Sequence, residues 1–204
     1  MTDRALTSHE RNAGVPWDAS YHHGLPPWDT GQPQPAIVRL AAENAFHGTV
    51  LDAGCGSGEN ALHIAARGLS VLGIDVAETA VAQAKDKAVA RGIEAEFAVA
   101  DAFRLADLGR TFDTILDCGL FHACDDQERR TYAASLADVT KPGAAVYILC
   151  FRPADGAGPH PVPREELEAP FADGWRLARI REDRIVAQFA PEGAPAWLAT
   201  FERR

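Results

Sequence analysis

The sequence predicts an α/β fold built on a single doubly wound, mostly parallel sheet, and three observations carry that reading. Apolar, strand-like runs alternate with helical stretches from about residue 49 to residue 150. A glycine-rich turn, Gly54-Cys55-Gly56-Ser57-Gly58, stands where the first run meets the first of those helices. After Cys150, strand-like runs follow one another without helices between them, which gives the sheet an antiparallel C-terminal edge. Near-continuous apolar strands separated by helices are buried on both faces, as parallel strands are.

Residues 1–14 are polar and aperiodic, and are expected to be mobile. Residues 15–36 crowd prolines and aromatics together, with Trp17, Tyr21, Pro26-Pro27-Trp28-Asp29 and Gly31 followed by Pro33 and Pro35. Prolines forbid a long helix there, and the aromatics predict an ordered arm that packs over something. Residues 37–204 form the main domain. Ile37, Leu40 and Ala41 have helical spacing within 36–46. Strands are predicted at 49–53, 70–74, 94–99, 112–117 and 144–150, with helices near 58–67, 77–91 and 127–140. Lys141-Pro142-Gly143 reads as a turn that stops the last of these helices. Residues 151–160 form a Gly/Pro-rich loop, 163–171 a short helix, and Trp175–Ile180, Arg184–Phe189 and Ala196–Phe201 the late strands.

The chain of 204 residues is one domain's worth, and 47% apolar with 24% charged residues is the composition of an ordinary globular protein. No apolar run approaches a membrane span, and the start Met1-Thr2-Asp3-Arg4 does not read as a signal peptide. Four cysteines without a C-x-x-C spacing predict reduced thiols in a cytoplasm and no structural zinc. A net charge of −9 without a Lys/Arg run opposes nucleic acid as a partner and favours a small molecule.

Ligands of open α/β sheets sit beyond the carboxyl ends of the strands. Those ends are Asp52, Asp75 followed by Val76, Asp101, Asp117-Cys118 and Cys150-Phe151. An acid that closes the second strand suits the two hydroxyls of a ribose. A dinucleotide fingerprint wants G-x-G-x-x-G, but the third glycine comes one residue early and Glu59 takes its place. A nucleoside without a pyrophosphate fits such a turn. Asp52 has two readings: it orients the loop backbone, or it meets a bound ammonium through water. His122, beyond the fourth strand, is a candidate catalytic base, a donor or a satisfied loop residue. His22, His23 and His160 are further candidate bases, and Phe121 reads as core. No His/Asp cluster has metal-ligand spacing.

Asp52-x-Gly54-x-Gly56-x-Gly58 with Asp75 downstream resembles motifs I and II of the class I S-adenosylmethionine (SAM) dependent methyltransferases. Trp17, Tyr21, Pro27-Trp28-Asp29-x-Gly31, Phe112-Asp113-x-Ile115-x-Asp117 and Lys141-Pro142-Gly143 look like the thiopurine and halide/thiol methyltransferase superfamily. This resemblance runs from about residue 15 to the C-terminus. It implies a Rossmann-like seven-stranded sheet, SAM as cofactor with S-adenosylhomocysteine as product, and methyl transfer to O or S, with N as an alternative, of a small-molecule acceptor. It also implies site roles. Trp17, Tyr21 and Trp28 lie over the cofactor, Gly54 and Gly56 cradle it, and Asp75 and Val76 meet the ribose. Asp101, Ala102 and Phe103 face the adenine, and Cys118 runs beneath the methionine end. Cys118 departs from the aromatic residue of the halide enzymes, which argues for a phenol, hydroxyquinoline or thiol over a halide. A non-catalytic SAM-binding protein and an NAD(P)-dependent oxidoreductase are the competing classes.

Overall fold

The structure is a computed structural model that describes residues 4–204. Five parallel strands form its centre: β1 (Thr49–Ala53), β2 (Ser70–Asp75), β3 (Glu96–Val99), β4 (Phe112–Cys118) and β5 (Thr140–Phe151). Two further strands, β6 (Trp175–Ala187) and β7 (Ala190–Arg203), form a long hairpin whose β7 pairs antiparallel with β5. The sheet order is β3-β2-β1-β4-β5-β7-β6, so the predicted mixed sheet with an antiparallel edge is found. The order reverses between β1 and β4, the switch point at which such sheets bind ligands.

Successive residues of a strand face opposite sides, and the two sides carry separate cores. Val50, Val71, Leu116 and Leu149 pack on one face with α2 (Pro35–Ala42), α3 (Glu59–Ala65) and α4 (Glu78–Arg91). Leu51, Leu72, Ile115 and Ile148 pack on the other with Tyr132 and Leu136 of α5 (Asp126–Asp138) and Leu167 of α6 (Arg164–Glu168). Phe121 is fully buried there, as its core reading requires.

Three segments differ from the sequence expectation. Lys141-Pro142-Gly143 lies inside β5 as a bulge: Phe112 pairs with Thr140 and Thr114 with Ala145, so the intervening residues bow out of register. The runs 175–180 and 184–189 are largely one strand, because β7 is long enough to pair with the residues between them. Most consequential are residues 4–14 of the segment 1–14 expected to be mobile, residues 1–3 lying outside the described residues. Ser8–Ala13 forms a helix, α1, closed by a capping box in which Thr7 and Glu10 satisfy each other's backbone N–H groups. Glu10 is buried and paired with Arg4, and Ser8 donates from backbone and hydroxyl to Glu128 of α5. Residues 4–14 are therefore anchored to the domain.

Candidate active site

One cavity of about 220 Å³ opens over the carboxyl ends of β1, β2 and β4, roofed by the arm. Its floor is the glycine turn. Gly56 has φ +53°, and a Cβ there would stand 2.9 Å from the Tyr21 hydroxyl, so only glycine lets the arm lie this close. Gly58 (φ +87°) opens α3, and a Cβ there would meet Ala84 at 2.7 Å. The early third glycine thus brings α3 against α4. Glu59, standing where the fingerprint glycine is missing, is buried in a bridge to Arg91 and Lys87 of α4.

Asp75, the last residue of β2, accepts from the Gly56 N–H at 2.8 Å and the Ala77 N–H at 2.9 Å, one on each carboxylate oxygen. Each oxygen keeps a lone pair for a ligand hydroxyl. Burial raises its pKa. Asp101 caps the 3-10 segment Ala102–Leu108 by accepting from the Phe103 N–H at 2.9 Å. Both acids, with Val76, Ala102 and Phe103, line the cavity.

The arm supplies the opposite wall. Trp17 and Trp28 meet edge to face at 5.6 Å, and the Trp28 indole N–H donates to the Tyr21 hydroxyl at 3.3 Å. Burial, then the charge of Asp75, pushes the Tyr21 hydroxyl up, so it stays protonated. The arm is fastened along its length. Asp18 accepts from the Thr79 N–H at 2.6 Å, Asp29 from the Ser57 hydroxyl, and Gln34 exchanges two bonds with the backbone of Val186. Gln188 at the hairpin tip donates to the carbonyls of Pro26 and Asp29.

Beyond β4, His122 packs on Phe151 with ring centroids 4.5 Å apart, and its Nδ1 accepts the Phe151 N–H at 3.3 Å. A neutral imidazole that accepts at Nδ1 carries its proton on Nε2. Burial, then His160, Arg129 and His9, lowers the His122 pKa to about 3. His122 therefore enters the cavity as a neutral N–H donor, which opposes its reading as a base. His22 and His23 do not line the cavity: both are exposed, and His22 is bound to Asp18. His160 does line it.

All the remaining predicted cofactor positions, Gly54 and Cys118 among them, line this cavity, with Asp52 the exception. Asp52 is buried under α3 and accepts the Ala61 N–H, which favours the loop-orienting reading over direct contact with a ligand. Burial, then Asp117, raises its pKa to about 8, and burial raises Asp117 to about 7. Sequence reasoning missed Arg4, Thr7 and His9, which line the cavity from the N-terminal segment, and Phe189 from the hairpin tip. The spacing Thr7-x-x-Glu10 was the available signal for the first group. Phe189 carried none, being a single apolar residue at a turn.

A sheet with this strand order, a glycine turn between β1 and α3 and an acid closing β2 define a Rossmann-like fold built for a nucleoside ligand. A methyltransferase-domain family matches residues 50–143. The 2-heptyl-1-hydroxyquinolin-4(1H)-one methyltransferase of Mycobacteroides abscessus is 40% identical over 167 residues, covering 79% of this chain and 74% of that protein. A probable thiol methyltransferase 2 of Arabidopsis thaliana is 30% identical over 162 residues, covering 77% and 71%. Among solved structures, one from work on the conversion of a disulfide bond into a thioacetal group during echinomycin biosynthesis superposes with TM-score 0.78 and 39% identity, covering 87% of this chain and 85% of that one. The chain belongs to the SAM-dependent methyltransferases, and SAM is its cofactor. No helix among the described residues is long and apolar enough to cross a membrane.

Proposed function

We propose that this methyltransferase acts on the oxygen or sulfur of a small, flat acceptor, a phenol or hydroxyquinoline before a simple thiol. The observation that carries the reading is the aromatic lining of the cavity. Asp75 and Asp101 stand at its β2–β3 end, whereas Trp17, Phe151, Phe189 and the histidines His9, His122 and His160 line it elsewhere, among polar side chains that include Arg4, Gln32 and Asn60. An aromatic wall selects flat apolar molecules, and polar groups beside it orient them. The relatives named for a hydroxyquinolone and for thiols support the same classes. The net charge of −9 gives a nucleic acid no purchase, and free cysteines suit a cytoplasmic enzyme.

In this reading Asp75 and Val76 hold the ribose, Asp101, Ala102 and Phe103 the adenine, and Gly54, Gly56 and Cys118 the methionine end. Trp17, Tyr21 and Trp28 form the roof. The acid-rich end and the closely approached glycine turn suit such a ligand. SAM, when bound, supplies an activated methyl on a sulfonium. The protein's task is to align the acceptor atom near ~3 Å from that methyl and to exclude water, an effect worth about 7–11 kcal/mol. Aromatic walls also attract the cation.

The test is a panel of phenols, hydroxyquinolines, thiols and halides incubated with the protein and methyl-labelled SAM, with products identified by mass spectrometry. Labelled methyl ethers from the flat aromatic acceptors are expected. Turnover confined to thiols or halides would overturn the preferred class.

A further inference from the structure

The histidine cluster has a division of labour that its geometry defines. His122 is committed at Nδ1 to the Phe151 N–H, so its Nε2–H is what it offers, and its ring edge lies near Gly119 at the end of β4. His160 stands at the opposite situation: it is exposed at the cavity mouth, in the 151–160 loop, with φ +53°. Non-glycine residues in that left-handed region cost strain and gather at functional sites. His9 of α1 meets His160 edge to face at 5.7 Å and stacks on Trp17 at 4.2 Å.

Resting on the acceptor class just argued, we infer that His122 binds the acceptor heteroatom as a hydrogen-bond donor through Nε2–H, and that His160 is the base that takes the acceptor's proton. The acceptor O–H (or S–H) breaks with its proton passing to the His160 imidazole and from there to solvent. The freed electron pair forms the new bond to the methyl carbon, and the pair of the broken C–S bond stays on sulfur. A donor that is neutral and already fixed by the backbone stabilises the developing anion without needing to change protonation. A base at the solvent-exposed mouth recycles its proton in each turnover. The titratable groups facing His160 are His9 and His122, while Arg129 faces His122 and Glu10 faces His9. His9 is lowered by burial and then by His160, so the histidines around the base stay neutral.

Two measurements decide it. In the S-adenosylhomocysteine complex, nitrogen shifts of labelled histidine should report His122 as the Nε2–H tautomer, unchanged from pH 5.5 to 8. An Nδ1–H tautomer, or titration in that range, overturns its donor role, and this readout needs no turnover. Rates across phenols of graded pKa then separate the residues. His160→Ala should lose about 10²–10⁴-fold on weakly acidic phenols and little on those already ionised, because general-base assistance is needed only for the former. His122→Ala should lose about tenfold or more on every phenol, ionised ones included, with partial rescue in His122→Gln, which keeps a donor. A His122→Ala loss that grows with acceptor pKa, or a His160→Ala loss that does not, overturns the assignment. If the wild-type protein methylates thiols alone, the acceptor class fails, and the tautomer still decides the role of His122.

Discussion

At the scale of single residues, the site is organised by which acids stand at strand ends and which stand one position inside. Asp75 is the terminal residue of β2 and faces the cavity, where it also ties Gly56 to Ala77. Asp75→Ala should weaken SAM and S-adenosylhomocysteine binding by roughly 1.5–3 kcal/mol, tenfold or more, because it removes a charge-assisted acceptor. Calorimetry on the folded variant checks this, and unchanged affinity would take Asp75 out of the ribose subsite. Asp52 looks equivalent in sequence but is followed by Ala53 within β1, so its side chain turns under α3 to meet the Ala61 N–H. Strand-end position is readable from a sequence; the side on which the last two residues leave the pleat is not. The same limit applies to His122. Its place beside the cavity was legible, whereas the bond from the Phe151 N–H that fixes its tautomer depends on where β5 ends.

At the scale of elements, the arm was legible because aromatics and prolines together signal an ordered, non-helical cover. What it does for its neighbours was not. The N-cap position before helix α4 is Ala77, whose methyl group cannot cap it, and Asp18 of the arm accepts the orphan Thr79 N–H instead. A cap supplied from residue 18 to a helix at residue 78 leaves no local pattern. Asp18→Ala should cost about 0.5–2 kcal/mol, the usual worth of an N-cap, and should loosen the 3-10 turn Trp17–Tyr21 with it. Urea titration reads the first effect. Hydrogen exchange reads the second, as faster exchange at residues 17–21 against an unchanged sheet. Loss of stability without faster exchange would mean that the arm is held by its other ties, Gln34 to Val186 above all. The helix α1 was missed for a different reason, its one local signal being the Thr7-x-x-Glu10 spacing. It is short and polar, and its burial comes from a Glu10–Arg4 pair and from Glu128 of α5, none of which periodicity reports.

For the whole molecule, the buried carboxyls beneath the cavity set the direction in which pH acts. Asp52 and Asp117 are held at about 8 and about 7, first by burial, against about 3.9 in an unfolded chain. A raised folded pKa means that the fold favours the protonated acid. Its contribution is complete below the unfolded value and is lost as pH rises through the folded one. Two other groups act oppositely at lower pH. His122 is held at about 3, so folding loses stability as pH falls below the ordinary histidine value near ~6.5. Glu10, which burial pushes up but Arg4 and two backbone N–H groups hold at about 2, loses its contribution in strong acid. Between pH 6.5 and 8.5 Glu10 is ionised in both states and the histidine is neutral in the fold and at most half protonated in the unfolded chain, so the buried acids carry most of the change. The melting temperature of the ligand-free protein should therefore fall steadily across that window. Asp52→Asn removes one of the two titrations, and also relieves Asp117 of a neighbouring charge. The difference in melting temperature between pH 6.5 and 8.5 should shrink in this variant, whatever happens to its absolute stability. Thermal melts at closely spaced pH values measure that difference directly. An undiminished slope would mean that Asp52 is already ionised at neutral pH, and that the orientation of the glycine turn rests on a charge instead of a neutral hydrogen-bonding acid.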